Sequence, residues 1–146
     1  MKKTKSRLFT GFGVVLLLIL GFAIFMYFNF YTVVVSGISM YPTFKDKQRV
    51  LVSRAYWLVG PIKDKDVVII RDDNPDGYII KRVYRMGGET VDWANVPDSF
   101  ALSGKDFQVP DGDIYVLGDN RLHSEDSRKF GPVDIGRVLG KVVIRP

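Results

Sequence analysis

At 146 residues with 25% charged side chains, the chain has the length and composition of one compact globular domain with a short appendage, not of a disordered protein. It holds no cysteine and a single histidine, His123, which excludes disulfides, a thiol nucleophile, thiolate metal sites and a histidine cluster for zinc. The net charge of +5 is concentrated in Lys2, Lys3, Lys5 and Arg7; without them 17 basic residues face 16 acidic ones, no dense basic run is left, and no nucleic-acid partner is expected.

Residues 1–7 read as a basic tail. From Leu8 to Phe30 there are 23 residues without a charge, about 34 Å as a helix, enough to cross a bilayer core of about 30 Å. Tyr27, Phe28, Phe30 and Tyr31 gather at the far end, as an interfacial aromatic belt does. Gly21-Phe22-Ala23 offers a small-x-small triplet of the kind cut in a signal peptide, but the apolar run continues through Ile24, Phe25 and Met26. A retained single-pass anchor over residues 8–30 is the expectation. The positive tail places the N-terminus in the cytoplasm and residues 31–146 outside a plasma membrane.

After Tyr31 the pattern turns strand-like. Thr32–Val35, Val50–Ser53, Val67–Arg71, Tyr78–Tyr84, Thr90–Trp93, Ile114–Leu117 and Val138–Ile144 are short β-branched or aromatic runs. Asn74-Pro75-Asp76-Gly77, Gly87-Gly88, Ser103-Gly104 and Pro110-Asp111-Gly112 separate them with turn chemistry. No segment of this part shows sustained helical periodicity. The predicted fold is mainly β, an antiparallel folded sheet or partly open barrel, joined to the anchor by a short linker. Tyr56-Trp57-Leu58-Val59 reads either as a buried strand or as a segment dipping into the membrane interface.

Three segments carry chemistry. Ser39 lies between Gly37 and Pro42, on a tight path that exposes a hydroxyl and turns backbone N–H groups toward one point; a plain turn serine is the alternative. Strand alternation puts Lys81 on the face of Ile79 and Val83. Desolvation there favours a neutral amine able to accept a serine proton, whereas at an edge the same lysine would snorkel to water. Gly118-Asp119-Asn120 follows an apolar strand, with Ser124, Asp126 and Arg128 close behind. Ser124 is placed to hydrogen-bond the amine, and Asp126 with Arg128 to stiffen the loop as a charge-assisted pair; an ordinary polar turn is the alternative.

These segments resemble the type I signal peptidases, serine–lysine peptidases that remove signal peptides from exported proteins. Ser36 through Thr43 resembles the nucleophile box, Lys81-Arg82-Val83 the base box, and Gly118 through Arg128, continued by Phe130-Gly131-Pro132-Val133, the closing box. The resemblance implies Ser39 as nucleophile, Lys81 as general base, Ser124 as the residue that orients Lys81, and Asp126, Arg128 and Asp119 as support. Gly37 stands where some relatives have a serine that helps hold the oxyanion, so the Ser39 backbone N–H is expected to dominate. Val33, Val35 and Ile80 match positions lining pockets for the −1 and −3 side chains of the substrate. Signal peptides of exported precursors and the lipid bilayer are the implied partners; no cofactor and no metal are expected. Lys47-Gln48 and Lys65-Asp66 depart from the family's Gly-Asp pairs, and Arg85-Met86-Gly87-Gly88 from its Gly-x-Pro-Gly. The short stretch from Thr90 to Ile114 leaves room for only a minimal accessory subdomain. Two other readings remain: a self-cleaving serine–lysine repressor, which would need a DNA-binding domain and an internal Ala-Gly site, and a non-catalytic membrane-tethered β module that binds exported chains.

Overall fold

The computed structural model describes residues 3–73, 77–100 and 106–143. The Asn74-Pro75-Asp76 part of one predicted turn, the Ser103-Gly104 turn, Ile144 and the first two residues of the tail lie outside them. Helix α1 (Lys3–Asn29) contains a span, Gly11–Asn29, of mean hydropathy 2.5 with none of it buried, long and apolar enough to cross a bilayer. A continuous apolar sequence left uncovered by protein is what a membrane-spanning helix requires.

The expected linker is absent. The helix runs directly into strand β1 (Phe30–Val34), and the Arg54 N–H donates to the Asn29 carbonyl at 2.8 Å, satisfying an orphan acceptor of the helix end. The rings of Phe25 and Trp57 lie 5.7 Å apart, so helix and domain touch through aromatic side chains as well. Trp57 belongs to a four-residue helix, α2 (Tyr56–Val59), that buries no residue; Trp57 is 76% exposed. Tyr56–Val59 is therefore not a buried strand.

The remaining strands are β2 (Arg49–Ser53), β3 (Val67–Arg71), β4 (Tyr78–Met86), β5 (Thr90–Val91), β6 (Phe107–Gln108), β7 (Asp113–Leu117), β8 (Val133–Asp134) and β9 (Val138–Val142). Six of them join β1 in one antiparallel sheet in the order β1-β2-β9-β3-β4-β7-β8, with β5 and β6 paired separately as the minimal accessory element. The sheet has two free ends, β1 and β8, so it is a folded sheet and not a closed barrel. The predicted strand Thr90–Trp93 ends at Val91, because Trp93–Asn95 turns as a 3-10 helix in which the Asn95 N–H donates back to the Asp92 carbonyl at 2.9 Å.

Both faces of β3 are covered. Val67 and Ile69 pack with Val33, Val35, Met40, Phe44 and Ile80 on one side; Val68 and Ile70 pack with Val83, Ile114 and Val116 on the other. Four successive apolar residues are what a strand buried on two faces needs. Lys47 and Lys65, which stand where the resemblance leads one to expect glycine, have φ of 64° and 70°, in the left-handed region where glycine alone is free of strain.

Candidate active site

Ser39 lies in the loop between β1 and β2. Two side chains on this loop, Met40 and Phe44, are fully buried in the core and hold it down from below. The Tyr41 N–H donates to the Ile38 carbonyl at 3.0 Å and the Phe44 N–H to the Met40 carbonyl at 2.9 Å, so the loop is a hydrogen-bonded turn with a fixed course. Gly37 has φ +85°, and its N–H donates to Asp46 Oδ1 at 2.8 Å. The glycine thus supplies the left-handed bend that starts the loop, and its N–H is spent on Asp46.

Lys81 sits on β4 opposite Val68 of β3, on the face it shares with Ile79 and Val83. It is 5% exposed, and its Nζ lies 3.0 Å from Ser39 Oγ. Burial pushes its pKa below the ordinary lysine value, against the opposing pull of Asp126 and Glu125. Desolvation wins, and the neutral amine is favoured. This pair joins residues 42 apart in sequence because β3 carries β4 into the core beside the loop.

The segment after β7 closes over the pair. The Asn120 N–H donates to the Ser39 carbonyl at 2.9 Å, and Asn120 Nδ2 to the Ile38 carbonyl at 3.2 Å. Asp126 is fully buried; its carboxylate accepts from Gly118 N at 2.9 Å, Arg128 Nε at 2.9 Å and Arg128 Nη2 at 3.0 Å. Burial alone would raise its pKa, but the Arg128 guanidinium and the Gly118 N–H outweigh it and hold the carboxyl below the usual range. Arg128 Nη2 also donates to the Arg121 carbonyl at 2.7 Å, and Ser127 Oγ accepts from Val116 N at 2.9 Å, fastening the segment to β7. Asp126 also caps α3 (Ser127–Phe130) by accepting from the Arg128 N–H.

Ser124 departs from expectation. Its Oγ is buried and, among the described residues, makes no hydrogen bond, to Lys81 or to any other group. It lies near enough to Asp126 to favour that carboxylate, but without the distance and angle of a hydrogen bond. Gly118 makes room for it: a Cβ there would strike the Ser124 side chain and come within 2.7 Å of the Ser39 carbonyl.

Asp119 is held by a residue to which the sequence reading gives no role. Arg82 grips it as a fork, Nε to Oδ1 at 2.7 Å and Nη2 to Oδ2 at 2.5 Å, and its Nη1 donates to the Lys65 carbonyl at 2.8 Å. Nη2 also reaches Thr43 Oγ1 at 3.4 Å. Arg82 therefore ties the nucleophile loop, the approach to β3 and the closing segment together from the side of the strand opposite Lys81. Its position next to Lys81 in the base box was the available signal. Burial would raise the Asp119 pKa, yet the Arg82 and Thr43 hydrogen bonds bring it below the ordinary carboxylate value. Val33, Val35 and Ile80 are 7%, 2% and 6% exposed and share one apolar cluster, so the three predicted pocket positions do lie together.

A family model, signal peptidase of the peptidase S26 group, matches residues 8–97 and 94–145 of the chain. Signal peptidase I of Bacillus amyloliquefaciens is 31% identical over 166 residues, an alignment covering 94% of this chain and 85% of that protein. Signal peptidase I T of Bacillus subtilis (strain 168) is 32% identical, with 95% and 84% covered. The crystal structure of a signal peptidase I from Enterococcus faecalis superposes with a TM-score of 0.46 at 25% identity, covering 58% of this chain and 99% of that one.

Proposed function

The chain belongs to the signal peptidase family, peptidase S26, and on that premise we propose that it is a membrane-anchored serine endopeptidase that removes N-terminal signal peptides from exported precursors with a Ser39–Lys81 dyad. The observation that carries this reading is the 3.0 Å approach of Lys81 Nζ to Ser39 Oγ, made by a lysine whose pKa burial lowers. A non-catalytic β module that binds exported chains would have no use for that contact.

The mechanism is acyl transfer. The cleavage segment of a precursor lies extended and adds a strand to the free edge of β1. Its −1 and −3 side chains turn toward the floor made by Val33, Val35 and Ile80, which admits small residues. Ser39 Oγ attacks the scissile carbonyl while Lys81 accepts its proton. The Ser39 backbone N–H stabilises the oxyanion; the Gly37 N–H, held by Asp46, does not contribute. Lys81 then gives the proton to the leaving amine, the C–N bond breaks, and an acyl-enzyme remains on Ser39. Water, deprotonated by Lys81, hydrolyses that ester and frees the signal peptide. Helix α1 holds the site near the bilayer, with residues 1–7 in the cytoplasm and the peptidase domain outside it, in keeping with the positive-inside rule.

The test is precursor processing by the full chain in detergent or lipid. Ser39→Ala and Lys81→Ala each abolish cleavage while circular dichroism shows the fold retained. Wild-type activity rises with pH as Lys81 loses its proton, and the limb lies below the ordinary lysine value because burial lowers the folded pKa. Full activity in either variant, or a flat profile from neutral to alkaline pH, refutes the dyad.

A further inference from the structure

Two strand edges face a common slot. Val35 turns both backbone groups toward β2: its N–H donates to the Gln48 carbonyl and its carbonyl accepts from the Lys47 N–H, each at 2.8 Å. Orientation alternates along an antiparallel strand, so Val34 turns its N–H and carbonyl to the outer edge of β1. On β4, Val83 gives both groups to the β3 side, donating to the Asp66 carbonyl at 2.8 Å and accepting from the Lys65 N–H at 2.9 Å. Tyr78, Ile80 and Arg82 therefore face the other flank. Pairing with β7 begins only at Arg82, which leaves the flank of Tyr78–Lys81 open. The shared cluster of Val33, Val35 and Ile80 brings these two open edges over one apolar floor. Both edges lead toward the same end, one to Ser39 and the other to Lys81.

One side chain crosses this slot. The Tyr78 hydroxyl donates to the Val34 carbonyl at 3.0 Å, joining residues 44 apart in sequence. Tyr78 is 39% exposed, so the phenol is not fixed there by burial. The carbonyl it holds is the outward acceptor of the edge strand, the group that the N–H of an added strand has to reach.

We propose that Tyr78 is a strap across the substrate slot: its hydroxyl occupies the Val34 acceptor in the free protein and gives it up to a backbone N–H of the incoming peptide. The proposal rests on the strand-addition reading above. Tyr78 then sets how readily a peptide enters, and has no part in the chemical step. It also imposes a requirement on the substrate, a free backbone N–H opposite Val34. A proline or an N-methylated residue there cannot replace the bond that the phenol surrenders.

The test uses the full chain in detergent and a synthetic peptide with alanine at −1 and −3. In the Ser39→Ala background, where no acyl-enzyme forms, Tyr78→Phe binds the peptide about two- to tenfold more tightly, the range set by one net hydrogen bond. Tyr78→Leu, lacking ring and hydroxyl, shows the same gain. In the background with Ser39 intact, Tyr78→Phe lowers KM by a similar factor and leaves kcat within about twofold. A merely structural tyrosine gives the opposite sign, since loosening β1 from β4 weakens binding. Equal or weaker affinity in Tyr78→Phe overturns the strap and leaves the proteolytic reading standing. Failure of the Ser39→Ala chain to bind the peptide with either residue at 78 overturns strand addition and the strap together.

Discussion

Asp126→Asn separates what the closing segment does for stability from what it does for the base. The wild-type carboxylate is fully buried and accepts from the Gly118 N–H and from two Arg128 guanidinium nitrogens. Asparagine keeps the volume but removes the charge and turns a donor toward one of those donors. Breaking a buried pair by neutralising one partner costs about 3–5 kcal/mol. Arg128 is 23% exposed, so water takes up part of its loss and about 2–3 kcal/mol is expected. For a domain of roughly 110 residues that lowers Tm by about 10 °C, read by near-UV circular dichroism of the full chain in detergent. The pH dependence carries the sign. The folded pKa of Asp126 is depressed, so its contribution is present above the unfolded value near 3.8 and lost as pH falls through the folded pKa. The gap in Tm between wild type and variant therefore closes in acid. The same substitution removes a charge that favours the Lys81 ammonium, so the acid limb of the activity profile moves to lower pH whatever happens to its height. An unchanged Tm at neutral pH, or an acid limb that moves upward, refutes this account of the segment.

Gly118→Ala forces a methyl group onto Ser124 and the Ser39 carbonyl; a displacement near 1 Å at the nucleophile lowers kcat by about 100-fold, and overpacking destabilises by about 1–3 kcal/mol, whereas wild-type kcat would show that the site has slack. Lys47→Gly relieves a left-handed φ of 64° and raises stability by about 0.5–1 kcal/mol after the greater chain entropy of glycine is subtracted, a gain that urea unfolding measures and that a lower midpoint would contradict. In a Trp93→Phe background, Trp57 is the remaining tryptophan; lying exposed against Phe25 of the helix, its fluorescence is quenched by brominated lipid in vesicles, and unquenched emission would place α2 away from the bilayer.

The long elements could be read from the sequence because each is decided by a local pattern. The span Gly11–Asn29 of helix α1 is uncharged and apolar, β3 carries four successive apolar residues, Val67 to Ile70, and β7 and β9 begin within one residue of where β-branched side chains mark them. The short elements could not. Strands β6 and β8 are two residues each, and α2 and α3 four; nothing so short carries a period, and their form follows from what they pack against. The site divides the same way. Residue type and spacing point to Ser39 and Lys81, since a lysine among apolar strand neighbours is anomalous by itself. The fork of Arg82 on Asp119 and the reach of Tyr78 to Val34 depend on how far the sheet folds over, which no local pattern encodes. Ser124 shows the limit most sharply: the sequence leads to a hydrogen bond with the Lys81 amine, but the hydroxyl makes none among the described residues, because its direction is set by the fold of the closing segment.

The lowered pKa of Lys81 is a balance and not a consequence of burial alone. Burial lowers its pKa, but Asp126 and Glu125 pull the other way, and a bare carboxylate near a buried lysine would ordinarily leave it as an ammonium. Here the carboxylate already carries the Arg128 guanidinium and the Gly118 N–H, both of which are positive toward it. These partners offset part of its field, and burial of the amine outweighs what remains. The Asp126–Arg128 pair then has two functions that a neutral hydrogen-bonded turn could not combine. It fastens the closing segment over the Ser39 loop with charge-assisted bonds, and it tempers one of the two carboxylates, Asp126 and Glu125, that oppose the lowering of the Lys81 pKa.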